Sequence, residues 1–505
     1  MKRILLSLLL FTYVLAYAQR LTNFSHPVYF NINNGNEKIN KIVTNKKNTI
    51  VYMSRKVQSE SKVTVPKTTY IIDEQGNQYK VEKADGIALG KTEILKANYS
   101  KTYSLTFPAL PKGTLCFDLV KKNRNRQAYY INIHQPGTSP RYSSAVDTVG
   151  LREAVDRAFP DEMFHADTVW LSGQFKGMKM LEREKCSIYV IVPVPSLHDN
   201  RYVDTIDINS DGTFKCAVPV VGPMWTELVV VGNDTHGVGK LIPTMLYPGD
   251  HLSLTVDNFS SDEPVYHWKS DREIDNKLLA LSDVFSERYY KYYGQELALD
   301  SLKETVAFSE RVAGYLANKY KLTKVQAALL LTQANVAKIC EAMRILGEEA
   351  HTKRYEYTKQ LDTSNLTASE RDSIQSFNDS WKFGILSQLR ADGKAFLIVP
   401  SHEEFTREML HSPIFMADIS DKRMFTMPWN EWQLYQNERN IHQLRKFRNK
   451  PLGADRLLEQ WLVIATAYKE VDVSKPLDKE VVKFNMEHVT LPVFDQWKRI
   501  LLESK

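Results

Sequence analysis

The sequence predicts an α+β multidomain chain, two β-sandwich domains followed by an all-α helical domain. Three observations lead there. Residues 20–258 carry short runs of β-branched and aromatic residues at period two, separated by Gly, Pro, Asn and Asp turns. From Asp271 onward the apolar period changes to 3.6. The chain has 505 residues, more than one hydrophobic core accommodates. Its 43% hydrophobic and 25% charged content is that of a folded protein and excludes wholesale disorder.

The N-terminus reads MKRILLSLLLFTYVLAYAQ. Lys2 and Arg3 form a positive n-region, Ile4 to Leu15 an apolar h-region, and Ala16-Tyr17-Ala18 a small-x-small cleavage site. Residues 1–18 are therefore expected to be a secretory signal peptide. The apolar run is too short for a stable anchor, and with no Cys at the cleavage site no lipid anchor is expected. No later segment is apolar enough to span a bilayer, so the mature chain is expected to be soluble and exported, in the periplasm or outer cell envelope.

Residues 19–136 are expected to form an N-terminal β-sandwich. HPVYFNI, TIVYMSR, TTYIIDEQGNQYKVEKA, KTYSLTFPAL and QAYYINIHQ alternate, Asp73 to Asn77 marks a hairpin turn, and Gly86 and Gly90 bracket another. The basic run Lys121 to Arg126 is expected to be a solvated loop between strands. Residues 137–166 read as a linker: GTSPRYSS, then one short helix, LREAVDRAF (Leu151 to Phe159), ended by Pro160. Residues 167–258 are expected to form the second sandwich, opening with TVWLSGQF and with strands in SIYVIVPV, YVDTIDINSDGTFKCAVPV, TELVVVGN and MLYPGDHLSLTVD. Its turns are Asn209 to Gly212 and Tyr247 to Asp250. Residues 259–505 are expected to be helical, an irregular bundle or array. One run places Val325, Ala328, Leu329, Val336, Ile339, Cys340 and Met343 on one face. Thr367 and Ser369 are candidate caps, and Pro451, Gly453 and Pro476 punctuate the last helices.

The formal charge is +6, of which Lys2 and Arg3 supply two units, and so mild a balance does not call for nucleic acid. The four cysteines, Cys116, Cys186, Cys216 and Cys340, contain no C-x-x-C, which rules out the usual dithiol motif and a Cys-paired zinc site. Cys186 and Cys216 share one predicted sandwich, where a disulfide and two single thiols both stay open.

Each candidate constellation meets a plainer reading. His165 and Asp167 lack a third ligand at short spacing, so a loop contact is favoured. His236 in GNDTHGVGK lacks the phosphate-loop spacing, and a strand-joining loop is favoured. Asp207, Asn209 and Asp211 alternate as in a calcium loop, but Thr213 and Phe214 follow the Gly where an acid is needed, so a hairpin is favoured. HEEF (His402 to Phe405) lacks the second His of a zinc helix and reads as an acidic first helical turn after Ser401. Leu171 to Gly173 is a strand, with no nucleophile elbow. Tyr289, Tyr290, Tyr292 and Tyr293, with Trp429, Trp432 and Tyr435, are assigned to helix core or rim ahead of a ligand groove. No catalytic, cofactor-binding or metal residue is assigned, and no cofactor is expected.

Several of these residues carry a resemblance. TTYIIDEQGNQYKVEKADGIALGK with YSLTFPALPKGTLCFDLV, the LSGQF, DGTF and LYPGDHLSLTVD run, and SDREIDNKLLAL together resemble exported thioredoxin-like proteins of Bacteroidetes, the TlpA-like or thiol-disulfide interchange group. The resemblance implies a strand-rich first domain, a second domain of unknown function and a helical region. In redox-active members a thioredoxin domain with Trp-Cys-x-x-Cys follows, and no position here matches either cysteine, so that activity does not carry over. The expectation is thus a non-catalytic exported envelope protein that binds another envelope protein or ligand. The alternative is an accessory to redox work, with a thioredoxin-domain partner in trans. An enzyme with a site in the helical domain ranks last.

Overall fold

A computed structural model describes residues 23–32, 37–123, 126–138, 145–178, 186–190, 208–232, 240–259, 265–270, 276–281, 299–360, 393–411, 456–469 and 479–503, with isolated positions between 284 and 442. The expected signal peptide, His236, Asp207, the tyrosines from 289 to 293, Trp429, Thr367, Ser369, Pro451, Gly453 and Pro476 lie outside these residues. The described chain is α+β, with mostly antiparallel sheets. It divides into two compact units, residues 1–145 with 318–320, and residues 146–317 with 321–505.

In the first unit one five-stranded sheet runs β1 (Phe24–Ser25), β3 (Glu37–Thr44), β4 (Asn48–Lys56), β10 (Ser100–Pro108), β8 (Lys83–Asp85). A second runs β2 (Val28–Ile32), β12 (Arg126–His134), β11 (Cys116–Asn123), β6 (Thr69–Ile72), β7 (Gln78–Lys80). Two short strands, β5 (Ser61–Thr64) and β9 (Thr92–Leu95), pair separately. Alternate positions of each strand turn inward. Ile42, Val51, Leu105 and Phe107 from one sheet meet Ile71, Phe117, Leu119 and Ile133 from the other in one buried cluster. The Asp73 turn is the predicted hairpin: β6 pairs with β7, and Asp73 accepts hydrogen bonds from Gln75 N, Asn77 N and the Tyr79 hydroxyl.

One expectation here needs correction. Lys121 does not sit in a loop; it lies within β11 and is buried. Its side chain shares the inward parity of Leu119, and a carboxylate waits for it there.

The second unit opens with α1 (Leu151–Ala158), the predicted short helix, followed after Pro160 by a 3-10 turn at Asp161–Met163. A four-stranded sheet then runs β15 (Thr213–Val220), β13 (Asp167–Phe175), β18 (His251–Asp257), β19 (Val265–Lys269). A three-stranded sheet runs β14 (Cys186–Val190), β16 (Met224–Gly232), β17 (Lys240–Leu246). The inward residues of both sheets form one apolar cluster that includes Val169, Leu171, Phe175, Phe214, Leu228, Ile242, Leu254 and Val256. Gly173 makes this possible: a Cβ there would lie 2.4 Å from the Phe214 ring and 2.5 Å from Leu254 O. Both expected turns form, with Gly212 N bonded to Asn209 O and Asp250 N to Tyr247 O. The sheet continues beyond residue 258, because VYHWK alternates and β19 adds to β18 with Tyr266 and Trp268 against the core.

The described helices that follow are α2 (Asn276–Leu279), α3 (Leu299–Lys319), α4 (Lys324–Gln360), α5 (Ala395–Ile398), α6 (Ser401–His411), α7 (Arg456–Lys469), α8 (Lys479–Glu487) and α9 (Asp495–Glu503). Helix α4 is buried on more than the one expected face, since every residue from Gln326 to Val336 is buried. Two of its buried amides find partners, Gln333 with Ser401 and Asn335 with Glu310, which helps such a helix to be enclosed. Among the described residues no helix is long and apolar enough to cross a membrane.

Candidate functional site

Three constellations gather chemistry-bearing side chains. The first lies inside the first unit. Glu37, at the start of β3, accepts hydrogen bonds from the hydroxyls of Tyr103 on β10 and Tyr130 on β12, and from Lys121 Nζ at 2.6 Å. Lys121 also donates to the Tyr103 oxygen at 2.6 Å, and its ammonium stands over both rings. Burial alone would push the Glu37 carboxyl up, but the Lys121 charge and the three donors outweigh it and hold it at about 2. Burial pushes Lys121 down against the pull of Glu37. A second buried pair in this unit joins Asp118 to Lys319 at 2.6 Å, and Asp118 also accepts the backbone N–H of Asn132, which sits at φ 58° in a β-bulge. The Glu37 carboxylate is filled by its donors and shut from solvent, so this cluster does structural work.

The second constellation surrounds the start of α6. Ser401 N donates to Gln333 Oε1, and Gln333 Nε2 donates to Ser401 Oγ. His402 Nδ1 lies 2.8 Å from Val399 O, and its ring sits edge-on to Phe396 and Trp461. Thr406 Oγ1 donates to His402 O and accepts the Trp461 indole N–H. Burial drives the His402 pKa down to about 4, so the ring is neutral at pH 7. Glu403 and Glu404 occupy the first turn, as read from HEEF. Trp432 is buried, with the Tyr435 ring tilted at 37° to it, a core use of the kind expected of these aromatics.

The third is the outer face of the four-stranded sheet. The strand alternation that sends Val169, Leu171 and Phe175 inward sends Trp170, Ser172 and Gln174 outward. Trp170 is 54% exposed. In register beside it stand Ala217 on β15 and His251 on β18. The next row across the sheet is Lys215, Ser172, Ser253, Lys269, and the row after it Thr213, Gln174, Thr255, His267. Lys215, Lys269, His251 and His267 are exposed. Asp257 is the acid at this edge; its hydrogen bond to Lys176, 3.2 Å away, and its contact with His267 at 3.0 Å hold its carboxyl below the usual range. An indole, a strip of short hydroxyl and amide side chains and flanking cations thus share one side of the sheet. Such a side of a sheet offers solvent an aromatic ring for stacking and groups for hydrogen bonding.

The sequence candidates fall elsewhere. His165 Nε2 is 3.7 Å from Asp167 and its Nδ1 2.7 Å from Glu162 O, an exposed loop contact. Asp211 accepts from Thr213 N and Oγ1 within its turn. Among the described residues no group of three His, Cys, Asp or Glu could hold a metal. Cys116, Cys216 and Cys340 are not in disulfides; burial pushes the Cys340 thiol well up. Trp170 was legible in TVWLSGQF, where it shares parity with Ser172 and Gln174 against three apolar neighbours. No family model matches the chain, and no curated protein matches it.

Proposed function

We propose that the chain is a non-catalytic binding protein of the exported cell envelope, related to the TlpA-like group, and that it binds through the outer face of the four-stranded sheet. In this reading residues 1–18 are a signal peptide, two β-sandwiches precede a helical domain, and the partner is an envelope component. The observation that carries the reading is Trp170, a large apolar side chain held 54% exposed over a polar sheet surface. An exposed indole on a rigid strand is a ready-made anchor, because it brings contact area with few torsions to freeze. The buried polar clusters around Glu37 and His402 support the same reading, since their groups are taken up by contacts with one another.

The test is co-sedimentation of the purified chain with a native envelope fraction. The wild type is expected to pellet with the envelopes, and Trp170→Ala to stay in the supernatant while keeping its far-UV spectrum. Equal pelleting of the two proteins contradicts the reading.

A further inference from the structure

We propose that the ligand of this face is an acidic glycan, a polysaccharide bearing carboxylate or sulfate groups. The inference rests on the binding-face reading above and gives its occupant a chemistry. Two features of the face select a sugar chain. Trp170 stands 54% exposed on the outward side of β13, and the apolar C–H face of a pyranose packs on such an indole. Beside it the outward side chains are short hydroxyls and an amide, Ser172, Ser253 and Thr255 with Gln174, which donate and accept in the way a hydroxyl-rich ligand requires. An apolar peptide helix would leave these groups unpaired, and each buried unpaired group is costly.

The charge selects an acidic glycan. Lys215 and Lys269 end the row that passes through Ser172 and Ser253. Three inter-strand steps separate them, about 14 Å between backbones. Among the described residues neither lysine forms an ion pair, and both are exposed. His251 flanks Trp170 on the same side. Against these stands Asp257, already shared by Lys176 and His267. Anionic groups spaced along a sugar chain would meet one lysine at each side of the stacked ring, with the serines between them.

The full chain is assayed by affinity electrophoresis and calorimetry with polygalacturonate, dextran sulfate, dextran and poly-L-glutamate. Binding to polygalacturonate or dextran sulfate is expected, weakening as salt rises. Trp170→Ala should lower the affinity about tenfold or more, Trp170→Phe should retain most of it, and Lys215→Ala with Lys269→Ala should lower it and flatten the salt dependence. Equal binding to dextran overturns the acidic assignment. Poly-L-glutamate binding that ignores Trp170→Ala identifies an acidic peptide and overturns the glycan. If neither acidic glycan binds while envelope sedimentation still depends on Trp170, the glycan inference fails and the binding face survives. If sedimentation also ignores Trp170, the binding face itself fails.

Discussion

In the first unit Glu37 and Lys121 point inward among Tyr103 and Tyr130, and Asp118 is buried with Lys319. In the second unit's paired sheets the inward positions are apolar or carry uncharged Thr226 and Thr244, and exposed lysines and histidines stand outside with Trp170. Both regions are built from alternating strands with similar residue types. What differs is the parity of the polar positions, and parity decides whether a charge is buried between sheets or faces solvent. A buried ion pair adds little net stability over a well-packed apolar pair, yet removing one member leaves the other stranded. An exposed lysine contributes little to stability and stays free to act.

The sharpest way to break the comparison is Glu37→Ala. It leaves the Lys121 ammonium and two tyrosine hydroxyls buried without their acceptor. A loss of about 3–5 kcal/mol is expected in denaturant unfolding. Glu37→Leu combined with Lys121→Met should recover much of it; a small effect of Glu37→Ala alone would place the cluster outside the core's support.

Acid sharpens the comparison further. His402 is held neutral in the second unit, near 4 against an ordinary 6.5, so the unfolded chain takes the proton first. Its contribution is complete above pH 6.5 and falls as pH drops toward 4. Glu37 is held ionised, near 2 against 4.5, so its contribution is complete above pH 4.5 and drains toward pH 2. Each amounts to about 3 kcal/mol at ~1.4 kcal/mol per pH unit. Hydrogen exchange followed by pH should therefore loosen α6 and α7 before β3 and β11. Simultaneous loosening of both sets contradicts the assignment.

Gly173→Ala is expected to cost about 1–3 kcal/mol, because the added methyl meets Phe214 and a backbone carbonyl that cannot swing away. An unchanged melting temperature would mean that β13 and β18 tolerate separation.

Much of this was legible in the sequence. The period-two runs, the Asp73, Asn209 and Tyr247 turns and the short helix at Leu151 stand where local chemistry puts them. Long-range pairing was less legible. KKNRNR reads as a charge run, and only the pairing of Glu37 with Lys121 across 84 residues shows why Lys121 is inside. Strand β19 was read as part of the helical region because VYHWK is five residues long and its partner β18 precedes a gap in the alternation. The burial of α4 on all sides was hidden in Gln333 and Asn335, which look like surface residues until Ser401 and Glu310 are placed beside them. The proposed binding face was hidden for the opposite reason: its residues are ordinary strand residues, and only register brings Lys215, Trp170, His251 and Lys269 to one side of a sheet.

The central claim is that Trp170 serves binding and not folding. The most direct measurement takes thermal unfolding and envelope co-sedimentation on the same preparation of Trp170→Ala. The account predicts a stability change within about 0.5 kcal/mol, as for an exposed site, together with loss of sedimentation. A variant that melts early, or one that sediments like the wild type, contradicts it.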